Sequence, residues 1–371
     1  MPESTFTFEY LCDDLGPAKV VHVHEPSVGL RGIVVVDNVA CGPSIGGVRM
    51  AGDVTVDEVF RLARAMTFKN AGAGLPHGGG KAGIVADPAK VDKEPLLRAF
   101  ARAIRDLVEY IPGPDMGTDE SCMAWILDEI DRSVGLPRVL GGIPLDEIGA
   151  TGLGLAACAD AATGFCDLEL SGATVAIEGF GNVGRPAARF LGERGVVLVA
   201  ASDSKGAIHD PDGIDVEELV AAKASTGSVT AYARGRTIPR EELFAVPCDI
   251  LVPAARPDCI REDNVDSIQA KLVLQGANIP ATAAAERRLH ERGVLSVPDF
   301  IANAGGVICA AVEFHGGNEA DALAQIVEKI TRNTKAVLEV ASVEGREPRA
   351  AAIALARKRV EEAMALRRSW G

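Results

Sequence analysis

The sequence predicts an α/β protein of two domains, the first built on a mixed sheet and the second on a Rossmann-type, doubly wound sheet. Three observations carry that expectation. The chain has 371 residues, long for one compact core. It is 47 % hydrophobic but only 4 % aromatic, with 40 glycines, a mix that suits closely packed α/β layers. Beyond about residue 150, short apolar runs alternate with helical stretches, the order that a parallel sheet with crossover helices requires. The expected domains are residues 1–145 and 146–330.

In the first domain Ala18 to His24 alternates and Leu30 to Asp37 is a β-branched run, so the stretch from about 18 to 50 reads as strands. A helix begins near Asp53. Thr55 caps it, Glu58 stands three on, and Val59, Leu62 and Met66 make its apolar stripe. Gly72 to Gly80 reads as a glycine-rich loop, and Lys93 to Ile111 as a second amphipathic helix stopped by Pro112-Gly-Pro-Asp115. After the break at Gly141-Gly-Ile-Pro144, Thr151 to Gly164 is a small-residue helix. Ala173–Glu178, Val196–Ala201, Ile250–Val252, Lys271–Leu274 and Val294–Val297 read as strands, and from Asn318 onward the pattern is helical.

Between the first of those strands and the next helix lies Gly179-Phe-Gly181-Asn182-Val183-Gly184, a GxGxxG segment. The first glycine permits a tight turn, the second lets a diphosphate approach the backbone, and the third lets helix and strand pack closely. The diphosphate then meets free N–H groups at a helix N-terminus. Asp203 ends the following strand at about the spacing, roughly 20 residues, of an acid that accepts from the adenosine ribose. A carboxylate there favours NAD. Ser204 and Lys205 beside it keep NADP open as the alternative.

Two lysines stand near each other in Met66-Thr-Phe-Lys69-Asn and His77-Gly-Gly-Gly-Lys81-Ala. Three glycines before Lys81 remove side chains, which would let a substrate come close to the ammonium. An amine buried beside a second cation loses its proton more readily and becomes a usable base. Asp115, in the Gly113-Pro-Asp-Met-Gly turn, offers a carboxylate for the same chemistry.

The formal net charge of −14 argues against nucleic-acid or anionic-membrane partners. Eight cysteines are scattered without metal-ligand spacing, as expected for reduced thiols, and no metal site is read. The N-terminal MPESTFTFEY has no leader pattern and no apolar run is long enough to span a bilayer, so a cytoplasmic location is expected.

The chain resembles the glutamate/leucine/phenylalanine/valine dehydrogenases from about residue 20 to 330. The matching segments are Gly42-Pro-Ser-Ile-Gly-Gly-Val-Arg-Met50, Lys69-Asn, Gly78-Gly-Gly-Lys81, Pro114-Asp115-Met-Gly-Thr, Ala150-Thr-Gly152, the GxGxxG, Gly276-Ala-Asn278 and Pro298 to Val307. The resemblance implies a substrate domain first, a dinucleotide domain second, and a C-terminal helical segment, 331–371, returning to the first. It implies oxidative deamination of an L-amino acid to a 2-oxo acid and ammonium by a homo-oligomer. Lys69 would grip the α-carboxylate, Lys81 would be the general base, and Asp115 would shuttle a proton at the amino nitrogen. Thr151, Ala254, Asn278 and Asn303 would join Gly179, Gly181, Asn182, Val183, Gly184, Asp203 and Ser204 around the cofactor.

The same resemblance maps Ile45, Gly46, Gly113, Val307 and Ala310 to the substrate pocket. Glutamate-specific members carry a lysine where this chain has Ile45 and a serine where it has Ala310. Without them a buried side-chain carboxylate would go unpaired. Gly113 and Ala310 are small for their places and are expected to enlarge an apolar pocket. The expected substrate is a hydrophobic amino acid of the Leu, Val, Ile, Phe or Trp class. Several segments, Gly149 to Gly154 among them, look more like the glutamate branch, so glutamate is the alternative and a non-catalytic dinucleotide-binding paralogue a remote one.

Overall fold

A computed structural model describes residues 12–367. The N-terminal stretch in which no leader was read, and the last four residues of the C-terminal segment, lie outside it. The chain forms two compact units. One runs to Pro144 and takes in Ala310–Asn318 and the chain from Leu355 on; the other is Leu145–Cys309 with Glu319–Ala354.

The first unit contains β1 (Lys19–Glu25), β2 (Leu30–Asn38), β3 (Ser44–Ala51), α1 (Val56–Gly72), β4 (Gly78–Val85), α2 (Lys93–Ala103), β5 (Tyr110–Pro114) and α3 (Glu120–Ile130). Its sheet has the order β1-β2-β4-β3-β5. It is mixed: β4 runs antiparallel to β2 and parallel to β3, which pairs parallel with β5. The Ile33 to Val36 run is apolar throughout because β2 is covered on both faces. Val34 and Val36 join Leu97, Phe100, Met123 and Ile126 in one core. Ile33 and Val35 join Val54, Val59 and Ala63 of the α1 side in another.

Two boundaries differ from the sequence reading. Gly78 to Gly80 is not loop but the start of β4, drawn into the sheet between β2 and β3. The helix from Lys93 stops at Ala103, and Tyr110 and Ile111 become strand by pairing with Ser44 and Ile45 of β3. The Thr55 cap is as expected, with Glu58 N–H donating to its hydroxyl at 3.2 Å. The Glu58 carboxylate does not close a capping box, however; it meets Arg49 at 2.5 Å.

The second unit opens with α4 (Ala150–Ala162), β6 (Thr174–Glu178), α5 (Gly184–Gly192) and β7 (Val197–Asp203). There follow β8 (Gly206–His209), α6 (Val216–Thr226), β9 (Arg236–Ile238), β10 (Ile250–Pro253) and β11 (Leu272–Leu274). Then come α7 (Ala283–Glu291), β12 (Leu295–Val297), α8 (Asp299–Ala302), α9 (Gly305–Phe314), α10 (Glu319–Glu344) and α11 (Pro348–Leu366). The seven-stranded order is β12-β11-β10-β6-β7-β8-β9. The strands from β12 to β7 are parallel, as a doubly wound sheet requires. Beyond β7, β8 and the edge strand β9, both missed by the sequence reading, add antiparallel.

The C-terminal return begins at Leu355 rather than at 331. The reason is the stripe Ala322, Ile326, Ile330, Thr334 and Val337, buried at helical spacing along α10. It packs on α4, where a side chain at Gly154 would come within 2.6 Å of Ile330. All eight cysteines, each among the described residues, stand outside any disulfide, and burial pushes the thiols of Cys158, Cys248 and Cys259 up to about 12.

Candidate active site and dinucleotide cleft

Strand alternation puts Ile45, Gly47 and Arg49 on one face of β3. The register sets Gly47 opposite Gly113 of β5 and beside Lys81 of β4. Across this face the Lys81 ammonium meets the Asp115 carboxylate at 2.5 Å, and Arg49 Nε reaches the same oxygen at 3.2 Å. A Cβ at Gly47 would stand 2.7 Å from Asp115 Cβ and 3.1 Å from Lys81 Nζ, so only glycine lets the pair close. Thr118 fixes the turn: its hydroxyl accepts from Asp115 N–H at 3.0 Å and donates to Val48 O at 2.8 Å.

Lys81 is 7 % exposed. Burial pulls its ammonium below the ordinary lysine value; Asp115 works in the opposite direction, and the Arg49 charge adds to the lowering. Burial also works against the Asp115 carboxylate, yet Lys81 and then Arg49 hold it below the usual range. The result is a buried amine–carboxylate pair with an always-charged guanidinium beside it.

The three glycines ahead of Lys81 do not leave space for a ligand. Added side chains would strike Asn38 O from Gly78 at 1.8 Å, Thr67 N from Gly79 at 2.1 Å and Ser44 Oγ from Gly80 at 2.8 Å. Their role is to let α1 and the neighbouring strands close on β4. Asn70 completes that contact, its amide donating to Gly78 O at 2.6 Å. Lys69, half-buried in the last turn of α1, is thereby carried on the helix that packs on the strand of Lys81.

The expected pocket residues divide. Ile45, Ile111 and Val134 form a buried apolar cluster with Ala310 and Phe314 against it. Gly46 faces the other way, packed on Gly80 with its carbonyl accepting from the buried Tyr110 hydroxyl at 2.8 Å. Gly113 does not enlarge the pocket, because Val134 Cγ2 lies 3.1 Å from where its Cβ would be. Val307, also on α9, falls in the other unit.

Sequence reasoning passed over two residues here. Arg49 was visible within a matching segment, two positions beyond Gly47 on the same face. Glu313, an acid in the apolar Ala-Ala-Val-Glu-Phe run, accepts from the N–H groups of Gly135, Leu136 and Ile143 at 2.7, 3.1 and 2.8 Å. It ties the segment bearing Val134 to α9.

In the second unit the fingerprint glycines stand between β6 and α5. Gly179 has φ +94° and sits against Ala255, and Gly184 packs on Gly179 O, where a Cβ would stand at 2.1 Å. Gly181 is exposed and a side chain there would meet nothing within 4 Å. Gly179, Gly181, Asn182, Val183, Asp203, Ser204 and Ala254 line one cleft of about 480 Å³ with Glu178, Lys223, Arg240 and Arg256. This opening beside a helix N-terminus fits the diphosphate of a dinucleotide. Asn278 and Asn303 form a second group, with Nδ2 of Asn303 donating to Oδ1 of Asn278 at 3.0 Å. Thr151, in the first turn of α4, stands where Ala150 meets Gly305.

The Asp203 carboxylate is not simply presented to the cleft. It accepts from Lys205 N–H at 2.9 Å and Val229 N–H at 2.7 Å, and its side chain is 7 % exposed.

Comparison with known proteins gives one consistent result. Residues 17–132 match the model "Glu/Leu/Phe/Val dehydrogenase, dimerisation domain", and residues 141–368 match "Glutamate/Leucine/Phenylalanine/Valine dehydrogenase". A glutamate dehydrogenase of Aeropyrum pernix is 43 % identical over 89 % of this chain and 85 % of its own length. An NADP-specific glutamate dehydrogenase of Saccharolobus shibatae is 39 % identical over 89 % of this chain and 83 % of its own. An NAD-specific one of Staphylococcus aureus is 39 % identical over 90 % and 85 %. Among solved structures, a hetero-hexameric glutamate dehydrogenase of Thermus thermophilus in a Leu-bound form superposes with TM-score 0.83, at 31 % identity, covering 96 % of this chain and 91 % of that one. An L-tryptophan dehydrogenase of Nostoc punctiforme gives 0.76 at 27 % identity, covering 94 % and 97 %.

Proposed function

The chain belongs to the glutamate/leucine/phenylalanine/valine dehydrogenase family, an NAD(P)-dependent group of amino acid dehydrogenases, and from that premise we propose that it deaminates an L-amino acid with an apolar side chain. The reaction is amino acid + NAD(P)⁺ + water to 2-oxo acid + ammonium + NAD(P)H, and it is reversible. When bound, the dinucleotide supplies the hydride acceptor; Gly179, Gly181, Gly184 and Ala254 would hold it.

The chain's own residues do the rest. Lys69 holds the α-carboxylate. Lys81, whose amine is poised below the ordinary lysine value, takes the proton of the water that attacks the imino carbon. Asp115, against Lys81, gives and takes the proton at the substrate nitrogen. Ammonium leaves as the 2-oxo acid forms.

The observation that carries the apolar side chain is the cluster of Ile45, Ile111 and Val134 with Ala310 and Phe314. It offers no cation or hydroxyl at positions 45 and 310, and an acidic side chain against it would leave a buried charge unpaired at a cost of several kcal/mol. Glutamate is a second reading, and the relatives support it more directly, since most of those compared are glutamate dehydrogenases. The L-tryptophan dehydrogenase neighbour supports an apolar side chain on the same fold.

Rates of NAD(P)H formation with Leu, Val, Ile, Phe, Trp and Glu decide between them. Turnover of an apolar amino acid at least about tenfold above glutamate is expected, the discrimination of one poorly matched group. Glutamate as the preferred substrate overturns the apolar reading, and silence with all six overturns the dehydrogenase itself. We further infer a homo-oligomer, supported by the dimerisation domain over residues 17–132; light scattering reads the mass directly.

A further inference from the structure

We propose, resting on the dinucleotide-dependent reading above, that the chain prefers a 2′-phosphorylated dinucleotide, NADP(H), and that Arg240 and Ser204 determine the preference. The usual sign of an NAD site is a carboxylate at the end of the second strand, free to accept from the ribose hydroxyls. Asp203 occupies that place but its oxygens are taken. Lys205 N–H and Ser228 Oγ donate to Oδ1 at 2.9 and 3.4 Å; Val229 N–H donates to Oδ2 at 2.7 Å, with Lys223 Nζ at 3.7 Å. The carboxylate therefore works as a staple that holds the β7–β8 turn to the segment after α6. With Lys223 beside it, it repels an incoming phosphate less than a free acid would.

Cations gather around it. The dinucleotide cleft adjoins a second one lined by Lys205, Gly206, Thr237 and Glu241, and Ser204 and Arg240 border both. Together the two hold Lys205, Lys223, Arg240 and Arg256 against Glu178, Asp203 and Glu241. A cationic excess is notable on a chain whose net charge is −14. Lys223 is spent on Phe180 O at 2.7 Å, and Arg256 lies 3.8 Å from Glu178. Arg240 has capacity left: one terminal nitrogen meets Glu241 at 3.2 Å, while its buried Nε has no partner among the described residues. A guanidinium beside an exposed serine hydroxyl matches the geometry of a phosphate dianion.

The test is fluorescence titration of the full chain with NADPH and NADH, and competition by adenosine 2′,5′-bisphosphate and by ADP. Expected are at least about tenfold tighter binding of NADPH and of the 2′-phosphate fragment, one charge-assisted contact's worth. Arg240→Gln should remove most of that margin, and Ser204→Ala part of it, NADPH affinity falling more than NADH affinity, with unchanged far-ultraviolet dichroism as the folding control. Equal or tighter NADH binding in the parent, or equal weakening of both dinucleotides by Arg240→Gln, overturns the assignment. Binding of neither would instead sink the dinucleotide reading on which it rests.

Discussion

Two glycine-rich segments, Gly78-Gly-Gly-Lys81 in the first unit and Gly179-Phe-Gly-Asn-Val-Gly184 in the second, use the missing side chain in opposite ways. In the second, Gly181 faces open space where a diphosphate can lie, while its two neighbours shape the turn and the helix contact. In the first, every glycine is filled by protein: Asn38 against Gly78, Thr67 against Gly79, Ser44 and Tyr110 against Gly80. A run of glycines therefore says that something comes close to the backbone. Whether that is ligand or another segment of the same chain depends on what the fold brings there.

Four substitutions can break or sharpen this contrast. The largest effect belongs to the one residue of the first segment that is not glycine. Lys81→Ala should lower kcat by about 10²- to 10⁴-fold, the range for loss of a general base, with the far-ultraviolet dichroism unchanged. A turnover within a few-fold of the parent would remove Lys81 from the chemistry.

Next, Gly79→Ala places a methyl 2.1 Å from Thr67 N, a backbone atom that cannot swing away. A loss of about 3 kcal/mol in urea unfolding is expected, at the upper end of overpacking costs. If stability is unchanged while substrate KM rises, the segment makes room for substrate after all. The mirror experiment is Gly181→Ala. Stability should stay within about 0.5 kcal/mol, as for an open surface position, while dinucleotide affinity falls about tenfold from lost backbone approach. Destabilisation without an affinity change would show that its space is structural.

The smallest expected effect concerns pH. Arg49 is a like charge that helps to lower the Lys81 amine, so removing it favours the ammonium. In Arg49→Gln the base stays protonated to higher pH, and the rising limb of kcat/KM should move upward. A shift to lower pH would mean that loss of the Arg49 contact to Asp115 matters through another route.

Legibility follows the distance between partners in the chain. The GxGxxG segment could be read because its strand, turn and helix are contiguous and Gly184 packs on Gly179 of the same segment. The Thr55 cap was readable for the same reason. The hold on the Asp203 carboxylate was not legible because its partners include Val229 and Lys223, which arrive from the far end of α6. Gly113 was read as free volume because Val134, which fills it, comes from the segment after α3. Tyr110 and Ile111 extended an amphipathic helix pattern convincingly; only pairing with β3 made them strand.

What the sequence alone determined is the class of the protein and its chemical inventory. Periodicity set a two-domain α/β chain, and residue types supplied two lysines, an aspartate and a dinucleotide fingerprint. The tertiary structure decided which of these groups touch. The Lys81–Asp115–Arg49 cluster joins β4, β3 and the turn after β5, and the mixed order β1-β2-β4-β3-β5 is set by long-range hydrogen bonding rather than local propensity. A side chain's charge and size belong to the residue. Its burial, its proton affinity and the space beside it belong to neighbours that only folding supplies.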